Sequence, residues 1–135
     1  MANATPGVRA RPLSPHVQIW RWHVTMAASI LNRATGAALY GGAVLLMGWA
    51  LALASGPVAY DDYMGLLGSI PGKVVLFGLT LSVFYHLFAG LRHLVWDSGK
   101  GFTPAVANRS AWVALIGGAL AAVLVWVIAG MMGKL

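Results

Sequence analysis

Residues 34–60 read ATGAALYGGAVLLMGWALALASGPVAY, a run of 27 residues without a charged side chain. Residues 74–91 and 110–133 form two further uncharged runs, of 18 and 24 residues. A helix needs about 20 predominantly apolar residues to cross the hydrocarbon core of a bilayer. The sequence therefore predicts an all-α membrane protein, a single domain over residues 1–135, with three transmembrane helices at approximately 28–54, 73–96 and 110–132.

The composition of the whole chain agrees with a membrane location. Of its 135 residues, 59% are hydrophobic and 9% are charged, with a mean hydropathy of +0.77, whereas an average soluble domain is about 25% charged. The net charge of +6 does not indicate nucleic-acid binding, because the basic residues stand singly beside apolar runs and form no basic stripe. Cysteine is absent, which excludes an iron–sulfur cluster ligated by cysteines of this chain.

The distribution of charge predicts the orientation of the chain. The segment before the first span and the connection between the second and third spans lie on one side of a three-span protein. Basic side chains concentrate in these two parts, namely Arg9, Arg11, Arg21, Arg33, Arg92, Lys100 and Arg109. The opposite connection carries Asp61 and Asp62, with Lys73 at its edge. The positive-inside rule therefore predicts a cytoplasmic N-terminus.

The N-terminal residues predict how the chain reaches the membrane. Residues 1–14 are polar and rich in proline, without the compact apolar region of a secretory signal or a long transit segment, which favours a bacterial inner (cytoplasmic) membrane. Residues 15–28 mix polar and aromatic side chains, including Trp20 and Trp22. Tryptophan is typical of the membrane–water boundary, so this part is expected to be a short interfacial segment.

His86 lies inside the second uncharged run, four residues before Gly90 and seven before His93, so the three share one helical face. An ionisable group at membrane depth marks a functional site by default. The spacing suits a haem lying edge-on, with His86 as axial ligand, Gly90 leaving room, and Arg92 and His93 near the propionates. The alternative is a structural histidine that is hydrogen-bonded within the protein. The residues alone support the haem ligand and the structural histidine about equally. The other two histidines precede the first span, so a second axial histidine would come from another chain.

Ser29 and Arg33 lie one helical turn apart at the cytoplasmic mouth of the first span. A hydroxyl group and a permanently charged guanidinium suit the carbonyl head group of a quinone. The alternative is an arginine that reaches the lipid phosphates, and the residues alone favour that alternative.

Small residues recur at four-residue spacing in two of the spans. The first span contains the pair Ala38 and Gly42, and the third span contains the set Ala114, Gly118 and Ala122. Such spacing allows close helix packing in lipid, although small residues are also frequent in membrane helices generally. The sequence supports a specific contact face and a general membrane composition about equally.

Two signatures in this chain resemble those of the succinate dehydrogenase cytochrome b subunit, one of the two membrane anchors of respiratory complex II. The first consists of RPLSPH at 11–16, Ile19, SI at 29–30 and RATG at 33–36. The second is HLFAGLRHL at 86–94, followed by Asp97. The third span agrees with the family in hydropathy and length only. One departure is Asn32, where many relatives have histidine before the motif arginine.

The resemblance implies half of a heterodimeric anchor bundle in membrane lipid, completed by a second small anchor subunit and carrying an iron–sulfur subunit and a flavoprotein subunit. It implies haem b with His86 as the iron ligand, the other axial histidine coming from the partner anchor, and Arg33 and His93 near the propionates. It also implies a site for ubiquinone or menaquinone at Ser29 and Arg33, and no succinate-oxidising site on this chain. The alternatives are a fumarate reductase anchor, a structural tether without functional haem, and an unrelated transporter or channel component.

Overall fold

The computed structural model describes residues 21–133, and every regular element in that part of the chain is a helix. The four helices are α1 (Val24–Ser55), α2 (Pro57–Gly68), α3 (Ile70–Asp97) and α4 (Pro104–Met131). Three of them, α1, α3 and α4, are long and apolar enough to cross a membrane. The predicted all-α architecture with three spans is confirmed, and the chain is a multi-pass membrane protein. Residues 15–20 of the predicted interfacial segment lie outside the described residues, and α1 already begins at Val24 within its remaining part.

The helix ends follow from proline and glycine in the connections. α1 stops at Gly56, whose φ of +110° is a backbone conformation that glycine adopts readily. α3 begins at Ile70, a few residues before the expected start, because the Ser69 hydroxyl accepts a hydrogen bond from the Gly72 N–H at 3.2 Å. α4 begins at Pro104 rather than near residue 110. Proline is favoured in the first turn of a helix, where its missing N–H removes no hydrogen bond.

The connection between α1 and α3 contains a helix that the sequence reasoning did not predict. This helix, α2, folds back against α1, because the Tyr63 hydroxyl donates a hydrogen bond to the Leu45 carbonyl at 2.7 Å. Gly48 makes room for the tyrosine, since a Cβ at this position would lie 2.9 Å from the Tyr63 hydroxyl oxygen. Asp61 and Asp62 are exposed on α2.

The three long helices run alternately up and down. His86 of α3 contacts Thr35 of α1, and the earlier residue Leu79 approaches the later residue Gly42, so α1 and α3 are antiparallel. On the other side, Arg92 bonds to Ser110 and Thr80 to Trp126, so α3 and α4 are antiparallel too. The start of α1, the end of α3 and the start of α4 therefore share one end of the molecule.

The closest packing joins α3 and α4 through small residues. Four residues of α4 are buried, namely Ala111, Ala114, Gly118 and Ala122. A Cβ added to Gly118 would lie 2.8 Å from the Cα of Tyr85, so only glycine allows the two backbones to approach this closely. The small-residue spacing on α4 thus forms a specific contact face, whereas Ala38 on α1 is exposed.

Gly118→Ala is expected to destabilise the protein by roughly 1–3 kcal/mol, because its new methyl group meets backbone atoms that cannot rotate away. The matched control is Gly78→Ala on α3, where a Cβ would meet nothing within 4 Å and helix propensity favours alanine by about 1 kcal/mol. Thermal unfolding in detergent, followed by circular dichroism, measures both changes. A Gly118→Ala protein as stable as the control would contradict the close backbone approach.

Most large apolar side chains of the three long helices face outward. Tyr40 on α1 is 82% exposed and Leu120 on α4 is 64% exposed. Contiguous apolar surface of this kind meets lipid or another protein in a native membrane protein. The described part of the chain is therefore suited to lipid contact and to packing against another membrane subunit.

Candidate functional site

A groove with a volume of about 470 Å³ opens between α1 and α3. Its lining consists of Gly36, Leu39, Tyr40, Ala43 and His86. His86 lies eleven residues before the end of α3, which at 1.5 Å per residue is roughly 16 Å along the helix. The imidazole therefore lies well inside the span, and it lines a mainly apolar groove.

One edge of the His86 ring faces α1. The Nδ1 atom lies 3.4 Å from the Thr35 hydroxyl oxygen, and a Cβ added at Gly36 would lie 3.3 Å from the ring's Cε1 atom. The Nε2 atom forms no hydrogen bond with any residue of 21–133. A neutral imidazole nitrogen of this kind is available to bind a metal.

The face of α3 that carries His86 is open on the C-terminal side of this residue. A Cβ added at Gly90 would meet nothing within 4 Å, and His93 is exposed. The Nδ1 atom of His93 lies 2.7 Å from the Ala89 carbonyl oxygen, so Nδ1 carries the proton and donates to that carbonyl. This leaves Nε2 of His93 for an external partner. The structure places His86, Gly90 and His93 on one face, as their spacing predicts.

Arg92 does not lie on that face, and the expectation that it helps to bind propionates is wrong. The residue is only 8% exposed. Its Nε donates to the Ser110 hydroxyl at 2.9 Å, and an Nη2 proton goes to the Ala107 carbonyl at 3.2 Å. The guanidinium also stacks 3.9 Å from the ring centroid of Trp96. Six residues beyond His86 is about one and two-thirds turns, so Arg92 points towards α4 and ties α3 to it.

Ser29 and Arg33 lie on the same face of α1 as the groove. The spacing from Ser29 through Arg33, Gly36, Tyr40 and Ala43 is 4, 3, 4 and 3 residues, which places all five on one side of a helix. Both Ser29 and Arg33 are exposed, and neither side chain forms a hydrogen bond or ion pair with another residue of 21–133. The structure therefore joins the two predicted sites into one continuous stripe along α1.

Asn32 adjoins Arg33 in sequence but turns its amide oxygen inward. This oxygen is buried and has no hydrogen-bond partner among residues 21–133. One turn earlier, the Ala28 carbonyl accepts a hydrogen bond from the Tyr85 hydroxyl at 2.6 Å. The Asn32 amide oxygen therefore points away from the exposed surface that carries Ser29 and Arg33.

Within residues 21–133, no group of three or more histidine, cysteine, aspartate or glutamate side chains is placed to hold a metal ion. His86 therefore does not belong to a metal-binding cluster formed by the described part of this chain alone. Thr35, which contacts it, was not predicted as a site residue. It belongs to the RATG signature, but its contact with His86 depends on how α1 packs on α3. The first part of that signature, residues 11–19, lies outside the described residues.

The comparison with known proteins decides the family. Residues 8–126 match the succinate dehydrogenase/fumarate reductase transmembrane subunit family. The chain belongs to this family. It is 37% identical to the succinate dehydrogenase cytochrome b556 subunit of Paracoccus denitrificans over 118 residues, which cover 87% of this chain and 91% of the relative. The Rickettsia conorii subunit of the same name is 39% identical with the same coverage.

A mitochondrial relative shows the same likeness. The succinate dehydrogenase cytochrome b560 subunit of Sus scrofa is 40% identical over 111 residues, covering 78% of this chain and 64% of the relative. The resemblance to succinate dehydrogenase cytochrome b subunits is thus confirmed. A membrane subunit of this enzyme works together with other subunits of complex II.

Proposed function

We propose that this chain anchors a succinate dehydrogenase in the membrane, ligates haem b through His86 and contributes Ser29 and Arg33 to the site where quinone is reduced. The proposal rests above all on His86, which lines the groove between α1 and α3 and whose Nε2 atom has no hydrogen-bond partner among residues 21–133. The relatives named cytochrome b556 and b560 subunits support a b-type haem here.

The residues around the groove are suited to bind haem b. Haem b, when bound, supplies one-electron redox chemistry at its iron. His86 would hold the iron through Nε2, Gly36 keeps α1 clear of the imidazole, and the space over Gly90 is free of protein atoms. Arg33 and His93, both exposed towards the cytoplasmic end, are the groups of this chain suited to bind carboxylates of the propionates.

A second small anchor subunit completes the site. His86 would be one histidine ligand of the haem, and a histidine of the partner anchor would be the other; the partner would also cover the open side of the groove. The exposed apolar side chains of the long helices provide the surface for such a heterodimeric bundle. The iron–sulfur subunit and the flavoprotein subunit would dock at the end that carries the start of α1.

Ser29 and Arg33 have distinct roles in quinone reduction. The Ser29 hydroxyl donates a hydrogen bond to a carbonyl oxygen of the quinone and so holds the head group in position. The Arg33 guanidinium stabilises the negative charge that develops on a quinone oxygen as electrons arrive, before protons are added. Because arginine stays protonated throughout, it acts by charge and does not transfer a proton.

The charges at the two ends of the bundle support the proposed orientation. The end that joins the start of α1, the end of α3 and the start of α4 carries Arg21, Arg33, Lys100 and Arg109. The opposite end carries Asp61 and Asp62 on α2. By the positive-inside rule, the first end faces the cytoplasm of a bacterium with this chain in its inner membrane.

A reduced-minus-oxidised optical spectrum tests the proposal directly. The complex is purified in detergent through a tag on this chain, and we expect a sharp b-type signal with two large soluble subunits and one small membrane subunit co-eluting. A flat spectrum from an intact complex would reject haem binding and favour a structural tether. Purification without the soluble subunits would reject the anchor function itself.

A further inference from the structure

We propose that Thr35 is a positioning residue for His86: its hydroxyl oxygen accepts the Nδ1 proton of the imidazole and so keeps the Nε2 lone pair directed into the groove. This inference rests on the proposed function of His86 as a haem ligand. It assigns to Thr35, on the neighbouring helix α1, the role of keeping the imidazole proton on Nδ1 while Nε2 binds the iron.

The hydrogen bonds of the threonine determine the direction of the contact. Thr35 has a single hydroxyl hydrogen, and the nearest acceptor is the Leu31 carbonyl oxygen at 2.8 Å, followed by the Asn32 carbonyl oxygen at 3.1 Å. His86 Nδ1 is farther away, at 3.4 Å. The hydrogen therefore points to its own helix, as is usual for threonine inside a helix. The lone pairs of the hydroxyl oxygen remain for His86, which must then donate.

The consequence for His86 follows from the chemistry of the imidazole. A neutral imidazole carries its proton on one nitrogen only. If Nδ1–H donates to Thr35, then Nε2 is unprotonated and has a free lone pair. A histidine ligand typically donates its other N–H to an oxygen, which fixes the ring and raises its basicity as a ligand. Thr35 supplies that oxygen from α1, although the ligand stands on α3.

The position of Gly36 makes the contact possible. A Cβ at this residue would approach the Cε1 atom of His86 to 3.3 Å and the Nδ1 atom to 3.8 Å. A larger side chain would therefore press on the edge of the ring that faces Thr35. The adjacent threonine and glycine thus act as a pair, the first accepting the proton and the second leaving room for the ring.

Thr35→Val removes the hydroxyl at nearly constant volume and is compared with Thr35→Ser, which keeps it. In the purified complex, we expect the valine variant to lose haem to excess apomyoglobin about 10-fold faster than the wild type. Its haem midpoint potential should shift to a more positive value, because a less basic imidazole stabilises the oxidised iron less. The electron paramagnetic resonance g-values of the oxidised haem should move as well. Thr35→Ser should match the wild type in all three measurements.

The matched control is Thr80→Val on α3. The Thr80 hydroxyl also donates within its own helix, to Leu76 at 2.8 Å, and accepts a hydrogen bond from Trp126 at 3.1 Å, but it lies outside the groove. Its loss should leave the potential and g-values of the haem unchanged. A Thr35→Val complex identical to the wild type in haem loss, potential and g-values would overturn the inference while leaving His86 as a ligand. A wild-type complex without b-type absorbance would overturn both proposals.

Discussion

His86→Leu is expected to remove haem b from the assembled complex while the three spans remain folded. Leucine is apolar and of similar size, so it suits an apolar groove, but it has no nitrogen to bind iron. Loss of an outer hydrogen-bond partner of a metal ligand typically costs about 10–100-fold in affinity, and loss of the ligand itself should cost more. The haem content per complex, measured from the pyridine haemochrome spectrum, should fall to a small fraction of the wild-type value.

The control for this variant is His23→Leu. His23 is exposed at the N-cap of α1, where its Nδ1 lies 3.2 Å from the Arg21 carbonyl oxygen, and it is not part of the groove. Its replacement should leave the haem content unchanged. A His86→Leu complex with full haem content would show that the imidazole is a packing residue. Recovery of the two soluble subunits with each variant confirms that assembly is intact.

The sequence predicts the fold of this chain well because charge is rare in it. Arg33, Asp61, Lys73, Arg92 and Arg109 delimit three apolar runs long enough to span a bilayer. Uncharged length is a strong signal, since burying a charge in hydrocarbon is costly. The ends of the helices were less predictable. They depend on local features such as the hydrogen bond at Ser69 and the proline that starts α4.

The candidate site is only partly predictable from the sequence. Helical periodicity is a local property, so the shared face of His86, Gly90 and His93 follows from their spacing alone. The same periodicity excludes Arg92 from that face, because six residues after His86 is about one and two-thirds turns. The spacing therefore argues against the expectation that Arg92 lies near the propionates. The contact between Thr35 and His86 cannot be predicted from the neighbouring sequence of either residue. The two residues are 51 positions apart, and their contact depends on the register between α1 and α3.

The structure of α2 was missed for a related reason. Its twelve residues contain two adjacent aspartates and two glycines, a pattern that resembles a polar connection rather than a helix. Packing against α1 stabilises this helix, although its own sequence favours a helix only weakly. The Tyr63 hydroxyl finds an acceptor on α1, and Gly48 leaves space for the ring. Tertiary contacts of this kind commonly decide the structure of short helices.

Arg33→Ala is expected to lower succinate:quinone reductase activity by about 100-fold, the loss typical of removing one group that stabilises developing negative charge. Arg33 is exposed on the face of α1 that leads to the groove, and its guanidinium pairs with no other residue of 21–133. Its removal therefore breaks no hydrogen bond or ion pair within the described part of the chain, so the fold should persist. Electron transfer from succinate to a soluble dye should stay at the wild-type rate, because the resemblance places succinate oxidation on other subunits.

Two further variants separate quinone reduction from the general effect of a positive charge at the membrane surface. Arg109→Ala removes an exposed arginine from the same end of the bundle, on α4 and outside the groove, and should retain quinone reductase activity. Arg33→Lys keeps the charge but loses the planar guanidinium, and should fall between the wild type and Arg33→Ala. If Arg33 only contacts lipid phosphates, then Arg33→Ala and Arg109→Ala will behave alike and both will retain activity. A selective loss of quinone reductase activity in Arg33→Ala, with dye reduction and haem content both intact, would support a role of this residue at the quinone rather than at the haem.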